Sequence, residues 1–369
     1  MRKALHILSL LLLTALLPAG CARDVLEVEK PQLKVRIRIP SGTEDTKTVD
    51  PSSAELRINN LRLWVFLAED AGGKPAGTCL GYLNPDKAQI SREGTQEFSF
   101  KLEEAVAKAK PKVNVYALAN QGSTGLNVNQ LTSATTQAFL DEVVLGENRF
   151  GVQSPVTAVP SGGIPYTACG KNIVLSGTFP VLEAGLFTLT RVVSKIHVVL
   201  CQAVDEAGTM EAFSVQSITL NEGQIPLREN LFNETSAPKI SPEYHSTALS
   251  FPVPSPIAQN PECDTYVYKS TMGDQEYENL INAGISQGVL SDCGVYYLKE
   301  SDKCLTGTIT YTVGTEAPKS VNFSMKTGEN FSRNHDWIVY LYFIGDAIEF
   351  SVSWTEWTNG GNYYLTPDD

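Results

Sequence analysis

Histidine is scarce in this chain: of 369 residues four are histidine, and one of the four lies in an apolar run near the N-terminus. The other three, His197, His245 and His335, are far apart, and no HExxH pair occurs, so the pattern of a zinc hydrolase is absent. No P-loop and no dinucleotide-binding glycine pattern occurs either, which removes the common nucleotide-dependent enzymes. The seven cysteines include no CxxC and no Cys/His group at zinc-ligand spacing, so neither a metal nor a cofactor is expected. Adjacent carboxylates such as Glu103 and Glu104, or Asp368 and Asp369, sit on solvated stretches and give glycoside hydrolysis no particular support. Positive charge is missing as well. The formal net charge is −12 and no basic cluster stands beyond one short strand, so the footprint of a nucleic-acid binder is lacking. What remains is an apolar chain, 42% hydrophobic and 19% charged, able to build real cores rather than stay disordered. No enzyme activity is expected from these features.

Long apolar runs are confined to the N-terminus. Arg2 and Lys3 precede the apolar residues 4–17, and Pro18, Ala19 and Gly20 precede Cys21. The arrangement resembles a bacterial lipoprotein signal, with small residues at 19 and 20 and with Pro18 where that motif usually has Leu. It implies that residues 1–20 are a signal peptide and that Cys21 is lipidated, by palmitate among other acyl chains, tethering the exported chain to a membrane. An ordinary secretory signal is the alternative. Six cysteines remain beyond it. In an exported chain they permit disulfides: Cys79–Cys169 is the one pairing confined to the first half, and Cys201, Cys263, Cys293 and Cys304 allow three pairings in the second. Unpaired thiols packing as small hydrophobes are the competing expectation.

Period-two alternation dominates the chain beyond Cys21. Leu33, Val35, Ile37 and Ile39 alternate with Lys34, Arg36 and Arg38, the pattern of a half-buried strand. Behind it, residues 41–53 are polar and punctuated by Gly42 and Pro51, which predicts an exposed loop. Residues 56–67 carry apolar groups on both faces, Leu61, Leu63, Val65 and Leu67 against Trp64 and Phe66, and so predict a covered central strand. Further strands are expected at 79–83, 97–102, 112–120, 173–175 and 179–182, a helix at 131–145, and a pinned loop at 162–166. Residues 186–201 are rich in β-branched side chains and unbroken by Gly or Pro, the mark of one long strand or two consecutive ones that open a second domain. Strands at 213–220, 265–269, 295–299 and 305–313 come next, then a closing hairpin of 336–343 and 347–354 across Gly345 and Asp346. The Pro-dense 238–261 tract predicts a long loop or sheet edge. The fold class is all-β: two tandem β-sandwich domains, residues 21–184 and 185–369.

Five stretches then carry a resemblance. Glu55-Leu-Arg-Ile-Asn-Asn-Leu-Arg-Leu-Trp-Val-Phe66, Asn114-Val-Tyr-Ala-Leu-Ala-Asn120, Gly163-Ile-Pro-Tyr166, Leu189-Thr-Arg-Val-Val-Ser-Lys-Ile196 and Ser332-Arg-Asn-His335 are similar, in order, to motifs of the fimbrillin family, the major subunits of type V pili of Gram-negative anaerobes. The resemblance implies transthyretin-like sandwiches, an outer-membrane lipoprotein precursor, and polymerisation with other fimbrial subunits by donor-strand exchange into an adhesive fibre. It also implies cleavage after a basic residue beyond the first strand. Lys47 stands there, before Thr48, where many members have Arg. Leu33, Val35, Ile37 and Ile39 would be the side chains removed on assembly. Ile348, Phe350, Val352 and Trp354, alternating within the 347–369 tail, would be donor-strand candidates, unless that tail completes its own second sandwich. The other class of reading is a surface lipoprotein that keeps its first strand, either a pilus anchor or a protein binding a host protein or glycan. The aromatics Trp337, Tyr340, Tyr342, Trp354, Trp357, Tyr363 and Tyr364, together with the 238–261 loop, would supply its glycan contacts.

Overall fold

The computed structural model describes residues 30–39, 54–84, 94–203, 213–233, 243–269, 271–325, 330–344 and 347–356. Cys21, Lys47, Thr48 and the 41–53 loop, Trp357, Tyr363 and Tyr364, lie outside the described residues. In the first half the chain forms β1 (Gln32–Ile39), β2 (Leu61–Leu67), β3 (Cys79–Leu83), β4 (Gly94–Lys101), β5 (Val113–Ala119), β6 (Val144–Leu145), β7 (Tyr166–Ile173), β8 (Ser176–Thr178), β9 (Val181–Thr188) and β10 (Thr190–Arg191). Two sheets result, ordered β4-β1-β9-β8 and β10-β7-β5-β2-β3. Alternation in β1 delivers Leu33, Val35, Ile37 and Ile39 to the core between them, where Phe98 and Phe100 of β4 and Leu182 of β9 join them. Every position of β2 is buried. Trp64 donates from its ring nitrogen to the Thr132 carbonyl at 2.9 Å, and Phe66 meets Tyr116 edge-on, so the outer face of this sheet is covered too.

The helix expected over 131–145 shrinks to six residues, α2 (Gln137–Glu142), which comes after a short α1 (Glu104–Ala109). Threonine is the reason. Thr132 Oγ1 accepts from Ala134 N and Thr135 Oγ1 donates to the Gln130 carbonyl, so side chains bind backbone groups that a helix would need. Only at Thr136, whose hydroxyl caps the N–H of Phe139 at 3.2 Å, does the helix start.

The second half contains β11 (Val193–Ala203), β12 (Phe213–Leu220), β13 (Glu229–Asn230), β14 (Leu249–Phe251), β15 (Gln259–Asn260), β16 (Ser291–Lys299), β17 (Thr306–Val313), β18 (Lys319–Ser324), β19 (His335–Ile344) and β20 (Ala347–Glu356). One sheet runs β15-β11-β19-β20 with β16 also on β11, and the other runs β14-β12-β17-β18. Between them lies the second core, with Ile196, Val198 and Leu200 of β11, Ile309 of β17 and Val339 and Leu341 of β19. The molecule is thus two β-sandwiches in tandem.

Two features depart from what the sequence predicts. Residues 186–201 divide: β9 and β10 pair with strands of the first half, and only β11 enters the second, so the sandwiches meet near Val192 rather than at 184. With no Gly or Pro in that run, nothing in the sequence marks the crossing. Residues 265–269 are not a strand. They overlap a 3-10 turn, Cys263–Tyr266, and lead into α3 (Asp274–Ser286), a helix absent from the sequence-based expectation although Tyr277, Leu280, Ile281 and Ile285 hold helical spacing. Tyr277 and Ile281 form a third core on the outer face of the β11–β19 sheet, with Val199, Tyr340 and Tyr342.

Cys201 and Cys263 are disulfide-bonded, their Cα atoms 6.4 Å apart, which staples this covering segment to β11. The Cys79–Cys169 pairing does not form. Cys79 is on β3 and Cys169 on β7, with β2 and β5 between them, so the two lie about 14 Å apart at the usual strand spacing, well beyond the reach of a disulfide. Cys293 and Cys304 form no disulfide either. Burial pushes the thiols of Cys79, Cys293 and Cys304 up. After unfolding without reductant, alkylation followed by peptide mass mapping is expected to label Cys79, Cys169, Cys293 and Cys304 and to spare Cys201 and Cys263; label on Cys263 would contradict the bond.

Candidate assembly site

The first strand is central in its sheet. β1 pairs antiparallel with β4, from Gln32 opposite Lys101 to Ile39 opposite Gly94, and parallel with β9, from Gln32 opposite Val181 to Arg38 opposite Thr188. Its ends are held by further backbone bonds: Gln32 N to Pro180 O at 2.9 Å, Leu102 N to Pro31 O at 2.8 Å and Leu189 N to Arg38 O at 2.9 Å. The four inward aliphatics are at most 1% exposed. Outward, Lys34 pairs with Glu97 at 2.7 Å and Arg36 lies 3.8 Å from Glu183, both in solvent, so they add little to stability. Burying four such side chains at about 1.5–3 kcal/mol each contributes roughly 6–12 kcal/mol as an upper bound. That is comparable with the whole stability of a typical domain, about 5–15 kcal/mol. Loss of β1 alone would leave a slot with unpaired backbone on both walls and an apolar floor.

At the other end of the chain, β20 pairs with β19 along its full length, Ala347 to Glu356. In the ladder Ile348, Phe350, Val352 and Trp354 pair with Phe343, Leu341, Val339 and Trp337, and Ile348 and Val352 belong to the second core. Val352 is 3% exposed and Ile348 packs against the same core. Ile348 and Val352 thus help to fill the second sandwich of their own chain.

The five stretches that resemble fimbrillins converge where the two sandwiches touch. Glu55, just before β2, bonds through its backbone carbonyl to the Tyr166 hydroxyl at 2.8 Å, and its carboxylate accepts from the Tyr297 hydroxyl. Asn120, in the left-handed region at φ 58°, donates from Nδ2 to the carbonyls of Arg57 and Ile164. Gly163 must be glycine: its φ is +81° and a Cβ would stand 2.4 Å from that same amide nitrogen. Arg191 lies over the Tyr166 ring, 5.1 Å from its centroid, and its backbone N–H donates to Asn334 Oδ1 at 3.2 Å. Lys195 is the centre: its ammonium lies 2.6 Å from Asp336, 3.0 Å from Glu278 and 3.6 Å from Glu55. These are a strand of the second half, the covering helix α3 and the first half. Beside it Arg333 donates to Glu300 and to the carbonyls of Leu231 and Asn230, while Glu229 accepts from Glu300 N at 2.7 Å. β13 in turn pairs with β6, tying the halves a second time.

No reacting constellation accompanies this scaffold among the described residues. His197 bonds Asp292 at 3.0 Å within the sheet, and the ring Nδ1 of His335 faces the carbonyls of Ser332 and Arg333. Gly284-Ile-Ser-Gln-Gly288 has GxSxG spacing, but it ends helix α3, whereas a nucleophile elbow comes after a strand and opens a helix. Among the described residues no group of His, Cys, Asp and Glu could hold a metal ion, and no helix is long and apolar enough to cross a membrane. Trp337, Tyr340 and Tyr342 do not form a surface: Trp337 packs with Phe331 in the second core and both tyrosines lie in the third. What the geometry can do is mechanical. It holds two sandwiches in one relation and seats β1 between two partner strands.

Two stability measurements check the junction. Replacing Lys195 by Met leaves three carboxylates without their cation and is expected to cost about 3–5 kcal/mol in urea unfolding; a loss under about 1 kcal/mol would show the cluster to be incidental. Burial pushes the Asp336 carboxyl up to about 6, against the attraction of Lys195. The folded state thus keeps this proton to a higher pH than the unfolded chain, and the associated stability, present below the ordinary carboxyl range, is lost as pH rises through about 6. The stability of wild type relative to Asp336→Asn should therefore fall between about pH 4 and 7, and a difference flat with pH would contradict the raised carboxyl.

No family model matches the chain. No curated protein matches it. Solved structures similar to it include a Parabacteroides distasonis protein proposed to act in cell adhesion, at 17% identity and a TM-score of 0.49, covering 87% of this chain and 91% of that one. The tip fimbrial protein Mfa3 of Porphyromonas gingivalis, with C-terminal truncation, is similar at 14% identity and a TM-score of 0.48, covering 89% of this chain and 100% of that one. The fimbrilin FimA of Porphyromonas gingivalis is similar at 10% identity and a TM-score of 0.47, covering 90% of this chain and 99% of that one.

Proposed function

We propose that this chain is a structural subunit of a cell-surface fimbria that supports adhesion. The observation that carries the reading is β1, a strand hydrogen-bonded on both sides, buried by four alternating aliphatics and joined to the rest through the polar 41–53 stretch. In this reading the chain is exported as a lipoprotein with lipid on Cys21 and held at the outer membrane until cleavage after Lys47 frees β1. A strand from the 347–369 tail of a neighbouring subunit then enters the slot. The physics supports such an exchange, because an incoming strand with the same alternation restores both the ladder and the apolar floor. Residues 21 to about 192 and from there to 369 act as the two domains, the first receiving a strand and the second giving one.

One observation favours a second reading. β20 fills its own sandwich, so a subunit that gave it away would open its second core. A pilus anchor or other outer-membrane lipoprotein, keeping both β1 and β20 and binding a host protein or glycan, avoids that loss. N-terminal sequencing of the protein from outer membranes separates the two. An N-terminus at Thr48 with an SDS-resistant ladder on gels run without boiling is the expected result, and Lys47→Ala should abolish both. A lipidated Cys21 in a monomer would sink the polymerising reading and leave the anchor.

A further inference from the structure

Beside the β6–β13 pair, three nitrogens are buried without a hydrogen-bond partner among the described residues: the ammonium of Lys299 and both ring nitrogens of His245. Lys299 is 0% and His245 2% exposed. Both belong to the second half, and they press against a loop of the first. A Cβ on Gly151 would stand 2.7 Å from His245 Nε2 and 3.2 Å from Lys299 Nζ, so the two nitrogens share the space over one glycine. The loop is fastened there by Lys299 N to Phe150 O at 2.9 Å and Tyr297 N to Val156 O at 2.8 Å, and Phe150 is buried in the first core. His245 is fixed from behind, its N–H donating to Ile225 O at 2.9 Å and its carbonyl accepting from Gly223 N at 2.8 Å.

We propose that His245 is a proton-binding site that releases this loop: taking up one proton from solvent, the imidazole becomes a second buried cation over Gly151 beside Lys299, and residues 146–156 part from β16. The charged groups facing the pair are few. Among the described residues, Lys299 on β16 faces His245 directly, Glu147 on the loop is a counter-charge to both, and Glu229 on β13 is the stronger counter-charge for Lys299. Glu147 is exposed and Glu229 already serves Arg333 and the Glu300 amide, so neither is free to absorb a second cation. Burial and the Lys299 charge hold the His245 imidazole below its ordinary range, and burial brings Lys299 down to about 8. Because the open form takes the proton first, the closed contact is complete above the free imidazole range near about 6.5 and weakens as pH falls below it. A local device of this kind loosens one contact between the sandwiches while leaving each core intact. It does not depend on the assembly role.

Hydrogen exchange with mass spectrometry on the full chain tests it. After correction for intrinsic rates, the amides of Tyr297 and Lys299, which donate to the loop carbonyls of Val156 and Phe150, should exchange roughly three- to tenfold faster at about pH 5.5 than at about 7.5, with β12 and β17 unchanged. In His245→Asn the acid effect should vanish. Should that variant not fold, Lys299→Met removes the other cation and should also suppress the effect. Equal rates at both pH values in wild type, an effect that survives in either folded variant, or a uniform loosening of the whole chain would each overturn the proposal.

Discussion

A lysine buried among three carboxylates is the constraint on which the rest of this molecule depends. An ammonium cannot be left alone out of water, and Lys195 is surrounded by Glu55 from the first sandwich, Asp336 from the second and Glu278 from the helix that covers it. Each partner is thereby obliged to stay where the others are. Two sandwiches joined by a continuous chain would ordinarily move about their connection, but here the connecting residues Arg191 to Ile196 pass through the middle of the ionic cluster. The Tyr166 ring under Arg191 and the Asn334 side chain on its backbone close the same contact from both sides.

Against that rigid frame the first strand is a separable part. Nothing in the junction requires β1, whose contacts lie within the sheet of β4 and β9 and with the core beneath. Its removal would empty one slot and forfeit burial worth roughly 6–12 kcal/mol, so the first sandwich would need a replacement strand to keep its fold. The covering segment of the second half is also secured independently, by the Cys201–Cys263 bond and by Tyr340, whose hydroxyl donates to the Cys263 carbonyl at 2.9 Å.

Much of this is legible in the sequence where the signal is a period of two. Leu33 to Ile39, 213–220 and the closing hairpin announce themselves by alternation, and the structure keeps them; the strand expected over 56–67 from its two apolar faces starts only at Leu61. Helix α3 is hidden because its polar first turn comes after a Pro-dense tract and Gly284 interrupts its apolar face. The crossing at Val192 has no marker, since both sandwiches draw on the same β-branched residues. The disulfide depends on which strands are neighbours, a matter of topology rather than spacing. Least visible is the junction itself: Glu55, Tyr166, Arg191, Lys195 and Asn334 are scattered over the chain, and each looks like a surface residue or a turn until the others are placed. Motif residues that invite a reading as binding groups are here the fasteners between two halves.

The pairing of β1 has a consequence for direction. It runs antiparallel to β4 and parallel to β9, so the walls of its slot are unlike, and a strand entering it is accepted in one orientation only. The residues that could enter lie at the opposite end of the chain from the slot that would receive them. Any filament built by that exchange is therefore vectorial: every subunit points the same way, its two tips are chemically different, and it can be begun or ended by changing a single strand at one tip.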